Sequence, residues 1–150
     1  MINKISPSIA AALEGTPDGA TVLIGGFGTA GIPSELIDGL IEQGARDLTI
    51  VNNNAGNGET GLAALLKAGR VRKIICSFPR QADSQVFDGL YRSGKLELEL
   101  VPQGNLAERL RAAGAGIGGF FTPTGYGTEL AKKADGSAKE TREINGRMYV

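Results

Sequence analysis

The stretch Asp18–Pro33, DGATVLIGGFGTAGIP, decides how the first part of the chain folds. Its apolar residues 22–24 predict a buried strand, and a glycine-rich segment, residues 25–31, follows directly. Glycine adopts positive φ angles and carries no Cβ, so the backbone of such a turn can approach a ligand closely. Pro33 suits the first position of the helix that we expect next, and the free N–H groups of that helix are suited to binding an anion.

Outward from this stretch, apolar strand patterns and amphipathic helix patterns alternate along the chain. We predict buried strands at 48–51 and 73–77, a half-exposed strand at 96–101, and helices between them that end at glycines. This alternation with short turns indicates βαβ units, so we expect an α/β fold with an open, mostly parallel sheet flanked by helices. Asn145-Gly146 predicts a hairpin turn, and because the sequence stops inside the second strand of that hairpin, we expect it to be incomplete.

Composition argues against several classes of function. Sixteen basic and sixteen acidic residues cancel among 150, and no basic block occurs, so we expect no nucleic-acid partner. No apolar run approaches the roughly 18 residues of a membrane span, and the N-terminus lacks the features of a secretory signal. The single cysteine, Cys76, lies in an apolar strand and cannot form an internal disulfide, which suits core packing and a reducing cytoplasm. The absence of histidine removes histidine-based nucleophile pairs and the commonest metal ligand, so we predict no metal site.

Polar residues follow the predicted strands at the edge where open parallel sheets bind ligands. The glycine-rich segment follows the first strand, residues 52–54 (three asparagines) follow the second, Arg80 follows the third and Gln103 follows the fourth. Amides and backbone N–H groups bind oxyanions and polarise carbonyl groups, but they transfer protons poorly. We therefore expect this edge to bind and stabilise a substrate rather than to supply a nucleophile.

Several of these features have a second interpretation that the residues alone leave open. Residues 26–31 match the G-x-G-x-x-G motif of dinucleotide-binding folds, although asparagines stand where a ribose-binding acid is expected. Asn53 and Asn54 are also common turn residues, and Arg80 is either a solvated charge or a clamp for a carboxylate. A nicotinamide-binding domain and a ligand-sensing or scaffold module therefore remain alternatives to an enzyme subunit.

Ordered blocks of the chain resemble the signatures of the family I coenzyme A transferases. The first block is the stretch 18–33, and the later ones are Asn53–Gly56, Pro102–Arg109, Thr122–Thr128 and Arg142–Gly146. The resemblance covers essentially the whole chain and implies a Rossmann-like coenzyme A transferase α-subunit domain over 1–150, incomplete at its C-terminal end. Within the family, segments 57–59 and 76–81 most resemble members that use 3-oxoadipate, and members that use acetoacetate are the nearest alternative.

The resemblance also implies roles for particular residues. The glycine-rich loop would bind coenzyme A, through Gly25, Gly26, Phe27, Gly28, Thr29, Ala30 and Gly31. Asn53, Asn54 and Gln103 would line the active site, and we add the hypothesis that Arg80 pairs with the distal carboxylate of the substrate acid. No catalytic residue is expected in this chain, because the catalytic glutamate of the family lies in a Ser-Glu-Asn-Gly motif of the B subunit, and that motif does not occur here.

The implied activity is the transfer of coenzyme A from succinyl-CoA to 3-oxoadipate, a step of aromatic-compound degradation, by a ping-pong mechanism. The glutamate of the B subunit would form a mixed anhydride and then a glutamyl-CoA thioester. Coenzyme A would enter as part of the substrate, with no permanently bound cofactor. The implied partner is the B subunit, in a heterodimer or heterotetramer.

Overall fold

The computed structural model describes residues 2–150. Its contacts divide the chain into two compact units, one ending at Glu99 and the other spanning Leu100–Val150. The single coenzyme A transferase domain that we predict over 1–150 stays a prediction.

The first unit is built on a four-stranded sheet whose strands lie in chain order, β1-β2-β3-β4. The strands are β1 (Thr21–Leu23), β2 (Leu48–Val51), β3 (Val71–Cys76) and β4 (Glu97–Leu100). β1 pairs in parallel with β2, and β2 pairs in parallel with β3. The predicted open, mostly parallel sheet is therefore confirmed, and β4 lies at an edge, as its half-exposed alternation indicates.

Helices lie between the strands, as the apolar periodicity predicts. They are α1 (Ile9–Leu13), which precedes β1, and then α2 (Ser34–Gln43), α3 (Leu62–Lys67) and α4 (Gln85–Arg92). α2 ends where predicted, because Gly44 adopts a left-handed φ of 94° there. The prediction that Pro33 occupies the first helical position was wrong by one residue: Pro33 has a non-helical ψ of 73° and is the N-cap of α2.

The core of the first unit lies between one face of the sheet and the helices. Alternate residues of β2 and β3 enter it, and Leu48, Ile50, Ile74 and Cys76 have 0% exposure. The helices contribute the facing apolar side chains, which include Ile37, Leu40, Leu62, Leu65, Leu66 and Phe87. Cys76 is thus a core residue, as its place in an apolar strand predicts.

Charged residues of β3 and β4 form a small ion-pair network beside this core. Lys73 Nζ lies 3.0 Å from a carboxylate oxygen of Glu97 and 2.9 Å from one of Glu99. Its hydrogen bonds to Glu99 and Glu97 raise the pKa of Lys73. The network links two strands of the sheet through side chains.

The second unit begins with α5 (Gln103–Gly114) and ends in an antiparallel hairpin of β5 (Arg142–Ile144) and β6 (Arg147–Tyr149). Asn145 and Gly146 have φ angles of 51° and 73°, as a type I′ turn requires, so the predicted hairpin turn is confirmed. α5, with 12 residues, is the longest helix within residues 2–150, and no helix there is long and apolar enough to cross a membrane.

Candidate functional site

Three loops leave the sheet of the first unit at the carboxyl ends of its strands, where parallel sheets bind ligands. We name them the glycine loop (25–33), the asparagine loop (52–58) and the third loop (77–84), which follow β1, β2 and β3 respectively. Because neighbouring parallel strands end at the same edge of a sheet, the three loops lie side by side.

The glycine loop is a tight turn that requires glycine. Phe27 and Ala30 exchange two backbone hydrogen bonds, of 2.9 and 3.0 Å, so the loop closes on itself. Gly26 has a φ of 111°, and a Cβ there would lie 2.5 Å from Cδ1 of Ile32 and 3.0 Å from the carbonyl oxygen of Ala30. A side chain at position 26 would therefore be strained and crowded. The loop instead presents backbone and the ring of Phe27, which is 58% exposed.

Asn52 joins the glycine loop to the asparagine loop. Its side chain is buried, and its Nδ2 donates to the carbonyl oxygens of Ile24, at 2.7 Å, and Gly25, at 3.3 Å. Its Oδ1 accepts a hydrogen bond of 2.9 Å from the backbone N–H of Asn54. One amide group therefore holds the base of the glycine loop and the first turn of the asparagine loop together.

Asn54 is buried inside the asparagine loop, with 0% exposure. Its Oδ1 accepts a hydrogen bond of 2.8 Å from the backbone N–H of Gly56, an Asx turn that shapes the loop. Its Nδ2 is buried and has no hydrogen-bond partner among the residues that the structure describes. Buried donors without a partner are rare in folded proteins, and because the loop encloses this one, a ligand would reach it only after the loop moves. The predicted role of Asn54 in lining the active site stays a prediction.

Asn53 is half-buried and faces the third loop. The hydroxyl of Ser77 donates to Oδ1 of Asn53 and, at 3.2 Å, to its carbonyl oxygen. The same carbonyl oxygen accepts backbone hydrogen bonds from Ser77 and Phe78, at 3.3 and 3.0 Å. The side chain of Asn53 is therefore held at the edge of the sheet, at the position where the sequence predicts an active-site residue.

Arg80, in the third loop, points toward helix α4. Its Nε lies 2.8 Å from Oδ1 of Asp88, and its side chain is more than half exposed. The next residue, Gln81, turns toward the glycine loop, where its Oε1 lies 3.5 Å from the position of a Cβ built on Gly28. The predicted pairing of Arg80 with a substrate carboxylate stays a prediction, and Asp88 would compete with that carboxylate for the guanidinium group.

A small cleft lies between the glycine loop and the asparagine loop, at the beginnings of helices α2 and α3. It has a volume of about 40 Å³ and is bordered by Gly28, Thr29, Ile32, Ser34, Gly56, Asn57, Thr60, Gly61 and Leu62. A volume on this scale admits small polar groups of about the size of water. It is too small to enclose a nucleotide.

Gln103 belongs to the second unit, where it is the exposed first residue of α5. Pro102, which cannot donate a backbone hydrogen bond, precedes it as the N-cap. The predicted contribution of Gln103 to a wall shared with Asn53 and Asn54 stays a prediction.

The described side chains at this edge suit stabilisation of charge rather than covalent or acid–base chemistry. Burial raises the pKa of the Cys76 thiol to about 12, so a reactive thiolate does not form near neutral pH. Glu59, in the segment before α3, pairs with Lys67 at 2.8 Å, and this partner lowers its pKa. Within residues 2–150, no group of three or more Cys, Asp or Glu side chains is placed to hold a metal ion. Among the loop side chains described above, the amides, the Ser77 hydroxyl and the Arg80 guanidinium group remain.

Asn52 is the residue that sequence reasoning missed. It stands in a run of three identical residues, and only the two that follow it match the family block Asn-Asn-Ala-Gly. Its role depends on the carbonyl oxygens of residues 24 and 25, which are 28 and 27 positions away in the chain. Its place directly after a wholly buried strand was the available signal, because a buried amide must find hydrogen-bond partners.

Comparisons with known proteins show which family the chain resembles. The sequence model of the family described as "Coenzyme A transferase" matches residues 7–150. The chain is 73% identical over all of its 150 residues to the A subunit of the 3-oxoadipate CoA-transferase of Pseudomonas putida, and it covers 63% of that protein. It is 43% identical to the A subunit of the succinyl-CoA:3-ketoacid coenzyme A transferase of Helicobacter pylori, over 99% of this chain and 61% of that protein. The chain thus spans less than two thirds of the length of these relatives.

A solved structure shares the fold. It is an acyl-CoA transferase of Escherichia coli O157:H7, determined as a thioester complex with CoA, and it aligns with a TM-score of 0.72. The alignment covers 95% of this chain and 31% of that one, at 24% sequence identity. The likeness supports the Rossmann-like arrangement of strands and helices that the sequence implies.

Proposed function

The chain belongs to the coenzyme A transferase family, and we propose that it is the A subunit of a cytoplasmic 3-oxoadipate CoA-transferase. The enzyme would move coenzyme A from succinyl-CoA to 3-oxoadipate, with coenzyme A entering only as part of the substrate. The observation that carries this proposal is the 73% identity to a subunit of that name over the whole chain. The alternative acceptor acid is acetoacetate. The 43% identity to a subunit of a succinyl-CoA:3-ketoacid transferase supports this alternative.

In the proposed reaction, a glutamate of a B subunit supplies the covalent chemistry. Its carboxylate attacks the thioester carbonyl of succinyl-CoA, and the thiolate of coenzyme A leaves as a mixed anhydride forms. The thiolate then attacks the glutamyl carbonyl, which releases succinate and leaves a glutamyl-CoA thioester. 3-Oxoadipate follows the same steps in reverse and departs as 3-oxoadipyl-CoA.

The part of this chain would be to position the carrier and to stabilise the oxyanions that each attack creates. The glycine loop offers a backbone without side chains at Gly26 and Gly28, close to the helix α2 N-terminus. Asn53 and Asn54 lie on the adjoining loop and would supply amide donors. Removing one such donor typically lowers the rate by on the order of 100-fold or more. These amide groups would therefore contribute substantially to the rate of transfer.

Reconstitution tests the proposal. The chain, in its complete A subunit, is combined with a B subunit that carries Ser-Glu-Asn-Gly, and the formation of 3-oxoadipyl-CoA and acetoacetyl-CoA is measured from succinyl-CoA. We expect activity only in the mixture, with 3-oxoadipate as the preferred acceptor. Succinyl-CoA alone should add the mass of one coenzyme A, less one water, to the B subunit. An acyl or CoA adduct on this chain would show that the assignment of roles is wrong.

Two substitutions test the predicted site residues within the same assay. Gln103→Ala should lower kcat by on the order of 100-fold if its amide contacts the oxyanion. Arg80→Ala should lower the preference for 3-oxoadipate over acetoacetate, because only 3-oxoadipate keeps a distal carboxylate. Arg92→Ala is the matched control, since Arg92 approaches the same carboxylate, Asp88, at 3.9 Å from within helix α4. If Arg80→Ala and Arg92→Ala enzymes have the same preference, Arg80 does not select the acid.

A further inference from the structure

We propose that Asn52 is a positioning residue of the transfer reaction. Its buried amide sets the distance between the glycine loop, where the thioester carrier would lie, and the asparagine loop, where the amide donors would lie. The catalytic consequence of this inference rests on the proposed function. The hydrogen bonds that join the Asn52 amide to both loops, which we call the clamp, are a feature of this chain.

The contacts of Asn52 are directed at both loops at once. Nδ2 donates to the carbonyl oxygens of Ile24 and Gly25, which are the last strand-like residue and the first loop residue after β1. Oδ1 accepts the backbone N–H of Asn54. With 3% exposure, the side chain is shielded from water, which would otherwise compete for these hydrogen bonds.

The clamp takes over where the sheet stops. β1 has only three residues and lies at an edge of the sheet, with β2 as its neighbour. The backbone hydrogen bond from Ile24 N to Val51 O, of 2.9 Å, is the final ladder contact between the two strands. Beyond it the asparagine side chain provides the next connection, so the exit angle of the glycine loop depends on this amide.

A shared anchor matters because oxyanion stabilisation depends on geometry. A displacement of about 1 Å at reacting groups can cost on the order of 100-fold in rate. Loosening the clamp would let the two loops move separately, while each loop keeps its own internal bonds, such as the pair between Phe27 and Ala30. Substrate could still bind to the glycine loop, and the effect should fall on kcat more than on KM.

Three substitutions and one control separate the clamp from general loop stability. Asn52→Asp keeps the acceptor for Asn54 N–H but loses both donors. Asn52→Ala and Asn52→Ser remove the bridge without placing a charge there, and they carry the test if the Asp variant does not fold. Gln43→Glu is the control, because the side chain of Gln43 also joins two segments of the chain. Its Nε2 donates to the carbonyl oxygen of Thr16 at 2.8 Å, and its Oε1 accepts from the backbone N–H of Ala45 at 3.0 Å. Gln43 lies at the end of helix α2, away from the three loops.

The kinetic experiment uses the complete A subunit with its B subunit, and kcat is expressed per active site titrated by thioester formation. We expect each folded Asn52 variant to lose about 10- to 100-fold in kcat, with a change in the KM for succinyl-CoA below about threefold. Gln43→Glu should leave both constants unchanged. A kcat per titrated site equal to that of the wild type, or an equal loss in Gln43→Glu, would overturn the inference.

A second measurement does not depend on activity. These 150 residues contain no tryptophan, so a Phe27→Trp substitution gives the glycine loop their one tryptophan reporter, and any tryptophan elsewhere in the complete A subunit is first replaced by phenylalanine. We expect the Asn52 substitutions to lower the fluorescence anisotropy of this tryptophan and to raise its quenching by acrylamide, and the Gln43 substitution to do neither. An unchanged reporter refutes the clamp. If the wild-type complex has no transferase activity, the proposed function is wrong. The fluorescence of the tryptophan reporter then still shows whether Asn52 holds the glycine loop in place.

Discussion

Gly56, in the asparagine loop, is the position where a single methyl group should disturb the site most. Its φ is 90°, and a Cβ built there lies 2.6 Å from the backbone nitrogen of Ala63 and 2.9 Å from its Cα. These are backbone atoms at the start of helix α3, so no side-chain rotation can relieve the contact. Gly56→Ala therefore combines backbone strain with overpacking.

The matched control is Gly58→Ala, two residues along the same loop. Gly58 also has a positive φ, of 63°, but an added Cβ would meet no atom of the described residues within 4 Å. The left-handed backbone alone costs about 1–2 kcal/mol for a residue with a side chain. Overpacking adds about 1–3 kcal/mol, so Gly56→Ala should cost about 2–5 kcal/mol in all.

Urea unfolding followed by circular dichroism at 222 nm gives the free energy of unfolding of both variants. We expect Gly56→Ala to be less stable than Gly58→Ala by about 1–3 kcal/mol. The double variant Gly56→Ala/Ala63→Gly should not recover stability, because the contact to the backbone of residue 63 remains. Equal stabilities of the two single variants, or a rescue by glycine at 63, would refute the argument from backbone contact.

Two further predictions concern titration and charge. The pKa of Cys76 is raised from 9.0 to about 12 in the folded chain, so on raising the pH the unfolded chain loses its thiol proton before the folded chain does. The free energy of unfolding should therefore fall between pH 9 and pH 12. In this range it should fall by up to about 1.4 kcal/mol per pH unit more than in the Cys76→Ala variant, which has no thiol. Lys73→Met should cost about 1 kcal/mol by leaving Glu97 and Glu99 without their shared cation, and 1 M NaCl should shrink that cost. Lys67→Gln, at an exposed ion pair, should change the urea midpoint by no measurable amount, and an effect equal to that of Lys73→Met would contradict the network.

The sequence was sufficient to predict the order of strands and helices in the first unit and its mostly parallel sheet. Short apolar runs placed the buried strand residues, such as Leu48 and Ile50, and the glycine after each helix gave most of the helix ends to within two residues. β3 nevertheless starts at Val71, two residues before the predicted position, and its pairing with β2 is irregular there, between Leu48 and Thr49. Irregular register depends on the neighbouring strand, so a local pattern does not reveal it.

The site was predicted less completely than the fold, because identical residues have different environments. Residues 52–54 are three asparagines, yet Asn52 bridges two loops, Asn53 is held by Ser77 and Asn54 closes an Asx turn. Only its place directly after a buried strand sets Asn52 apart in the sequence, and the roles themselves depend on which backbone groups lie nearby in space. Substitution of one asparagine should therefore not be taken as a guide to the others.

The size of the cleft limits what this edge of the sheet can do by itself. About 40 Å³ accommodates one oxygen-sized group, such as the oxygen of a thioester or a carboxylate, next to the glycine loop. If coenzyme A binds at the glycine loop as proposed, its nucleotide and pantetheine parts would lie outside this cleft and draw their binding energy from other surfaces. If the proposed function is right, this edge supplies orientation and charge stabilisation at the reacting carbonyl, which is the contribution that depends most on a rigid link between the two loops. The amide of Asn52 is placed to provide that link.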